Sequence, residues 1–217
     1  MNKKSSKKSL AKLPEWEKLL SAQMIFQSHF PECILVGETA DADYVVSDLK
    51  KRFANILQAV EKEAGWHTKR LEPPVLILGH FQGVRTGLRQ LIRAAPLETT
   101  LVRGLRIPTV EEMLRIKAYL IVRRNTTRDF IDFLALFDQM GTTQALQALG
   151  PLDRLYPQKE GNSISQQLAL QLAEPKPWDL SATNLGHYKA LKAPYTDWKE
   201  VIRRAYAMAQ AIMLHQL

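Results

Sequence analysis

Two aspartates one residue apart, Asp41 and Asp43 in ILVGETADADYVV, are the first residues whose types and spacing suit chemistry. On a strand, positions i and i+2 project to the same face about 7 Å apart at their α-carbons, a spacing that lets two carboxylates grip hard divalent cations. Two such cations clamp a triphosphate, activate an attacking oxygen and stabilise departing pyrophosphate. The same Asp-x-Asp pair also occurs in acidic surface turns, and the motif alone leaves both readings open. Glu98, in PLETTLV, is a third carboxylate on a neighbouring extended segment. It either completes an acidic triad or faces water from an edge strand.

A second constellation combines both charges with helical spacing. Lys117, Arg124 and Arg128 are separated by seven and four residues, and Asp132 follows Arg128 by four. An uninterrupted helix would bring them toward one face. A break near Asn125 instead gathers a helix N-terminus, Arg128 and Asp129 at one point, where an anionic phosphate can be held. The competing reading is an Arg–Asp network that pins two helices together. The five histidines have no ligand spacing, and neither a P-loop nor a Gly-x-Ser-x-Gly elbow occurs.

The elements that must position these groups follow from periodicity. Residues 13–30 carry apolar side chains at Trp16, Leu19, Leu20, Ile25 and Phe26, a helical pattern closed by Pro31. CILVG reads as a short buried strand. Leu49, Phe53, Ile56, Leu57 and Val60 form one helical stripe, with Ser47 as N-cap and Gly65 as stop. WHTKRLE, PVLILGHF and GVRTGLRQLIR are β-like, the last two joined across a Gln82-Gly83 turn, and PLETTLV and LRIP add two extended pieces. From Thr109 the pattern is helical. Thr109 with Glu112 forms a capping box, Thr126 caps a second helix that ends at Gly141, and further helices are predicted in SISQQLALQLA and DWKEVIRRAYAMAQAIMLHQL. The Pro- and Gly-containing EPKPWDLSATNLGHYKALKAPY between them reads as a wrapped loop. The fold class expected is therefore α+β: a mixed sheet flanked by helices, followed by a helical C-terminal half. Its divisions are a flexible basic tail at 1–12, a core at 13–108 and a helical region at 109–217.

Bulk properties bound the function. The 217 residues carry a formal net charge of +8, which favours an anionic partner such as nucleic acid, nucleotide phosphates or an acidic protein. Five lysines fall within the first twelve residues, so much of that charge belongs either to a solvated tail or to a nucleic-acid arm. No apolar run approaches the roughly 18 residues of a membrane span, no signal-peptide apolar stretch follows the basic start, and the single cysteine, Cys33, fits a reducing compartment. A soluble cytoplasmic protein with no membrane partner is the expectation.

Taken together, RIPTVEEMLRIKAYLIVRRNTTRDFIDFLALFDQMG, ILVGETA, DADYVV and APLETT resemble the nucleotidyl transferase AbiEii/AbiGii toxin family, over most of the chain from Cys33 to Gly141. SISQQLALQLAEPKPWDL and DWKEVIRRAYA look like the C-terminal part of one bacterial branch. The resemblance implies a nucleotidyltransferase fold and transfer of a nucleotide from an NTP to an acceptor such as RNA, tRNA included, by two-metal catalysis with Mg²⁺ or Mn²⁺. It also implies a neighbour-encoded antitoxin protein as partner. By position, Gly37 and Thr39 match the phosphate-facing turn, Asp41 and Asp43 the catalytic metal pair with Glu98 as third carboxylate, and Lys117 a phosphate-binding or catalytic lysine. Arg124, Arg128, Asp129 and Asp132 match the helical motif, with Asp129 among the catalytic residues and the other three on the nucleotide. One departure is plain: the family places a helix between the glycine turn and Asp-x-Asp, whereas here four residue steps separate Gly37 from Asp41. That span is at most about 14 Å, too short for a helix and a return. An impaired transferase, or a silent descendant that binds RNA or an antitoxin-like protein, is the alternative this departure raises.

Overall fold

The computed structural model describes residues 15–38, 41–188 and 191–215. The chain divides after Pro108 into two compact units, each with its own hydrophobic core.

The first unit is built on a five-stranded mixed sheet in the order β1-β2-β5-β4-β3, comprising β1 (Ile34–Glu38), β2 (Asp41–Val46), β3 (Trp66–Glu72), β4 (Leu76–Phe81) and β5 (Val84–Gln90). Only β2 and β5 pair in parallel. Strand alternation sorts β2 cleanly: Ala42, Tyr44 and Val46 are buried, while Asp41, Asp43 and Val45 on the other face are half-buried. The buried face forms a core with Phe26 of α1 (Glu15–His29), with Phe30 just after that helix, and with Leu49, Ile56 and Val60 of α2 (Leu49–Glu61). Phe26 lies at its centre, 4.9 to 6.0 Å by ring centroid from Phe30, Tyr44, Trp66 and Phe81. The β4–β5 hairpin turns on Gln82 and Gly83, both with positive φ, which is the two-residue turn that matches strand twist. A second hairpin, β6 (Thr99–Val102) with β7 (Leu105–Pro108), repeats the device at Arg103 and Gly104. Gln27 of α1 donates to the carbonyls of Cys33 and Arg106, tying this hairpin to the helix.

Two local expectations change. The N-cap of α2 is Asp48 rather than Ser47, and the helix ends at Glu61, with Gly65 serving the turn into β3 at φ +90°. Ile25 is exposed on α1, and the buried stripe runs instead through Leu19, Ala22, Gln23, Phe26 and Gln27.

The second unit is helical: α3 (Val110–Arg124), α4 (Thr127–Met140), α5 (Thr142–Leu149), α6 (Leu152–Leu155), α7 (Ile164–Ala173) and α8 (Trp198–His215). Leu114, Ala118 and Ile121 of α3 pack with Phe130, Phe133, Leu134 and Phe137 of α4, and with Leu168, Leu172, Val201 and Ala205 of α7 and α8. The Thr109 hydroxyl caps α3 by accepting from the Glu112 amide. The buried Glu112 carboxylate pairs with Arg115, whose Nε donates to the Ala148 carbonyl and so fastens α3 to the end of α5. Helices α5 and α6 were not expected from the sequence. The 174–188 stretch forms turns and short 3₁₀ segments, as the density of Pro and Gly predicts.

Candidate functional site

The sheet unit places Asp41 and Asp43 together, at the first and third positions of β2 and on the same face. Parallel pairing sets Asp41 opposite Arg85, Asp43 opposite Gly87 and Val45 opposite Arg89. Both carboxylates meet arginines of β5: Arg85 Nη1 lies 3.1 Å from Asp41 Oδ2, and Arg89 Nε 3.3 Å from Asp43 Oδ1. All four side chains remain open to solvent, the arginines at 58% and 47% and the aspartates at 40% and 39%. Gly87 makes this layer possible. A Cβ there would stand 2.9 Å from Asp43 Oδ1 and 2.8 Å from Leu78 Cδ2, so the carboxylate lies directly over glycine backbone.

The other sheet-unit candidates lie elsewhere or outside the description. Gly37 sits on β1, paired with Asp43 across an antiparallel ladder with a register shift between Leu35 and Gly37. Thr39 falls outside the described residues. Glu98 is exposed and immediately precedes β6, in a strand pair separate from the five-stranded sheet. Among the described residues no group of three or more His, Cys, Asp or Glu is placed to hold a metal ion, so the acidic triad is not assembled. Two carboxylates are nonetheless the donor set that magnesium takes when phosphate oxygens and waters complete its shell. Asp41 and Asp43 fit one cation delivered with a polyphosphate, and they do not amount to a three-carboxylate, two-metal centre.

In the helical unit the expected residues divide by burial. Asn125 ends α3 in the left-handed conformation, at φ 50° and ψ 50°, and the chain turns directly into α4. At this turn Asp129 is fully buried. Its carboxylate accepts from Arg124 Nε at 3.0 Å and Nη2 at 2.6 Å and from the Thr126 hydroxyl at 2.7 Å. The carboxylate expected to be catalytic is thus enclosed and occupied by hydrogen bonds within its own turn. Arg124 is likewise committed to the clasp, although half its side chain is exposed. Asp179 completes the turn by accepting from both the amide and the hydroxyl of Thr127, so the cap of α4 comes from the following loop rather than from Thr126. Trp178 donates its indole N–H to the Arg124 carbonyl, and Asn125 donates to the Lys176 carbonyl.

Arg128 and Asp132 are more open, with side chains 47% and 32% exposed, whereas Lys117 beside them is largely covered at 13%. Lys117 Nζ is 2.7 Å from Asp132 Oδ2, and Arg128 Nε is 3.7 Å from the same oxygen. Both cations approach the same carboxylate oxygen. Tyr188 stands in the field of this cluster: partial burial first, then Asp179, raises its hydroxyl pKa, while Arg128 opposes the rise.

The residues that sequence reasoning missed are Arg85 and Arg89. Their i, i+4 spacing on a β-like run signalled one shared face. Nothing local signalled that β5 would lie parallel to β2, because the partner is more than forty residues away in the chain.

No family model matches the chain. Over 128 residues it is 36% identical to the mycolic acid-containing lipids exporter MmpL11 of Mycolicibacterium smegmatis and 38% identical to the heme uptake protein MmpL11 of Mycobacterium tuberculosis. Each match covers 56% of this chain and 13% of the mycobacterial protein, so the chain spans about an eighth of the curated relatives it matches. No helix among the described residues is long and apolar enough to cross a membrane. Among solved structures, JHP933 from Helicobacter pylori superposes with a TM-score of 0.52 and 17% identity, over 91% of this chain and 90% of that one. A second H. pylori protein, provisionally designated a nucleotidyltransferase, superposes at 0.51 with 16% identity, over 90% and 92%. The chain has a nucleotidyltransferase-like fold: a mixed sheet flanked by helices, followed by a helical half.

Proposed function

We propose that the chain is a nucleotidyltransferase-like protein of the AbiEii/AbiGii toxin type, which transfers a nucleotide from an NTP to an acceptor such as RNA, tRNA included. The observation that carries this reading is the Asp41–Asp43 pair, set side by side and solvent-accessible on one face of a sheet with a nucleotidyltransferase-like fold. Asp41 and Asp43 would hold Mg²⁺ or Mn²⁺, which when bound neutralises phosphate charge and stabilises departing pyrophosphate. The remaining work falls to the chain itself. In the helical unit, taken by itself, Lys117 and Arg128 share Asp132 and would be phosphate-binding side chains, and the Arg124–Asp129 clasp fixes the α3–α4 turn beside Arg128. The partners that follow are an NTP, an RNA acceptor and a neighbour-encoded antitoxin protein, and the compartment is the cytoplasm.

A second reading has its own support. Both aspartates already hold arginines, and Glu98 brings no third carboxylate to them. This favours a catalytically silent descendant that keeps the fold and binds RNA or an antitoxin-like protein. Incubation with each labelled NTP, Mg²⁺ and total RNA separates the two. Transfer of label, abolished by Asp41→Asn or Asp43→Asn, supports the enzyme. Its absence with all four NTPs, from a folded protein, supports the binder.

A further inference from the structure

Four charges alternate on the accessible face of β2 and β5. Asp41 meets Arg85, Asp43 meets Arg89, and Gly87 lies between the two arginines on their own strand. Four residue steps of strand separate Arg85 from Arg89, about 13 Å at the α-carbons, and flexible guanidinium arms can close that distance toward a single extended anion. Ion pairs as exposed as these hold weakly, because water screens them and each side chain gives up freedom to stay in place. A partner with better geometry can displace either member. Phosphate is such a partner for arginine, since the planar guanidinium fork binds two of its oxygens at once. A divalent cation is such a partner for an aspartate pair, and magnesium characteristically arrives with phosphate oxygens already in its shell.

We infer that Arg85 and Arg89 are a polyphosphate-binding pair, held by Asp41 and Asp43 until a magnesium-bearing polyphosphate exchanges both partners at once: phosphate for the arginines, cation for the aspartates. Every arginine and every aspartate has an oppositely charged partner before and after the exchange. The aspartates act as gatekeepers, in that free polyphosphate must compete with two carboxylates for the arginines, whereas the magnesium complex compensates those carboxylates as it binds. This inference rests on the nucleotidyltransferase-like reading for the identity of its ligand, the polyphosphate chain of an NTP. It differs from that reading in requiring no transfer.

The test uses the full chain and inorganic tripolyphosphate, titrated calorimetrically with and without Mg²⁺. Wild type should bind the magnesium complex at least tenfold more tightly than tripolyphosphate alone. The Arg85→Ala/Arg89→Ala double variant should lose at least tenfold in affinity for the complex, while Arg52→Ala, which removes an exposed arginine paired on α2, should stay within twofold of wild type. The distinguishing sign comes from Asp41→Asn/Asp43→Asn, which should bind magnesium-free tripolyphosphate more tightly than wild type and lose its response to Mg²⁺. Far-ultraviolet circular dichroism and thermal melting confirm folding in each case. Affinity unchanged in the double arginine variant overturns the inference, as does weakened magnesium-free binding in the double asparagine variant. If labelled nucleotide is never transferred while these binding signs hold, the transferase reading fails and the polyphosphate site stands. If transfer occurs and binding ignores Arg85 and Arg89, only the site falls.

Discussion

The sheet unit and the helical unit each pair arginine with aspartate, yet the pairs do different work. On β2 and β5 all four side chains are open to water, with closest contacts of 3.1 and 3.3 Å. At the α3–α4 turn, Asp129 is sealed from solvent and accepts three hydrogen bonds of 2.6 to 3.0 Å, two from Arg124 in fork geometry. Burial decides the role. A buried carboxylate stripped of its partner has no water to replace it, so the clasp holds the turn together. An exposed pair loses little when it opens, so the sheet pair is free to exchange partners.

The comparison is broken most severely at the clasp. Arg124→Ala leaves the buried Asp129 with the Thr126 hydroxyl in place of three donors, and should destabilise the helical unit by about 3 kcal/mol in urea denaturation. On the sheet, Gly87→Ala pushes a methyl group against Asp43 Oδ1 and Leu78 Cδ2. It should cost about 1–3 kcal/mol by overpacking and weaken any ligand that Asp43 holds. Asp179→Ala removes the side-chain cap of α4, with an expected loss of about 1 kcal/mol by the same assay. Arg85→Ala or Arg89→Ala should each change stability by less than about 1 kcal/mol. A loss of 3 kcal/mol from either would show that the sheet pair is structural too.

An intermediate case sharpens the contrast. Tyr195 donates to Asp138 at 2.7 Å, and Arg204 pairs with the same carboxylate oxygen. Burial, followed by the hydrogen bond to Asp138, pushes the Tyr195 pKa up to about 12. The folded value lies above the ordinary value near 10, so the protonated phenol is the stabilised form. Its contribution is complete below pH 10 and fades as pH rises through about 12. Melting curves across this window should show that Tyr195→Phe loses less stability on alkalinisation than wild type, a small effect for a half-buried group.

Much of the architecture was legible because it is written locally. Thr109 capping α3, the Gln82-Gly83 hairpin and the break at Asn125 each follow from side chains within a few residues of the element they control. Helix α5 escaped because its two threonines and two glutamines dilute a short apolar stripe. The site was only partly legible. Strand alternation announced that Asp41 and Asp43 share a face, but the identity of their neighbours depends on β2 pairing in parallel with β5, a long-range choice that no local pattern encodes. In the helical run the spacing of Arg124, Arg128, Asp129 and Asp132 was informative about proximity and silent about burial. That silence is why the full burial of Asp129 could not be read from its spacing.

The most direct measurement pairs activity with stability in three variants: Asp41→Asn, Asp43→Asn and Asp129→Asn, each assayed for transfer from labelled NTP to RNA with Mg²⁺ and for its melting temperature. The two sheet variants should melt within a degree or two of wild type and transfer no label, whereas Asp129→Asn should melt markedly lower. Full transfer by a folded Asp41→Asn or Asp43→Asn protein, or no transfer by wild type itself, would contradict a working nucleotidyltransferase site on β2.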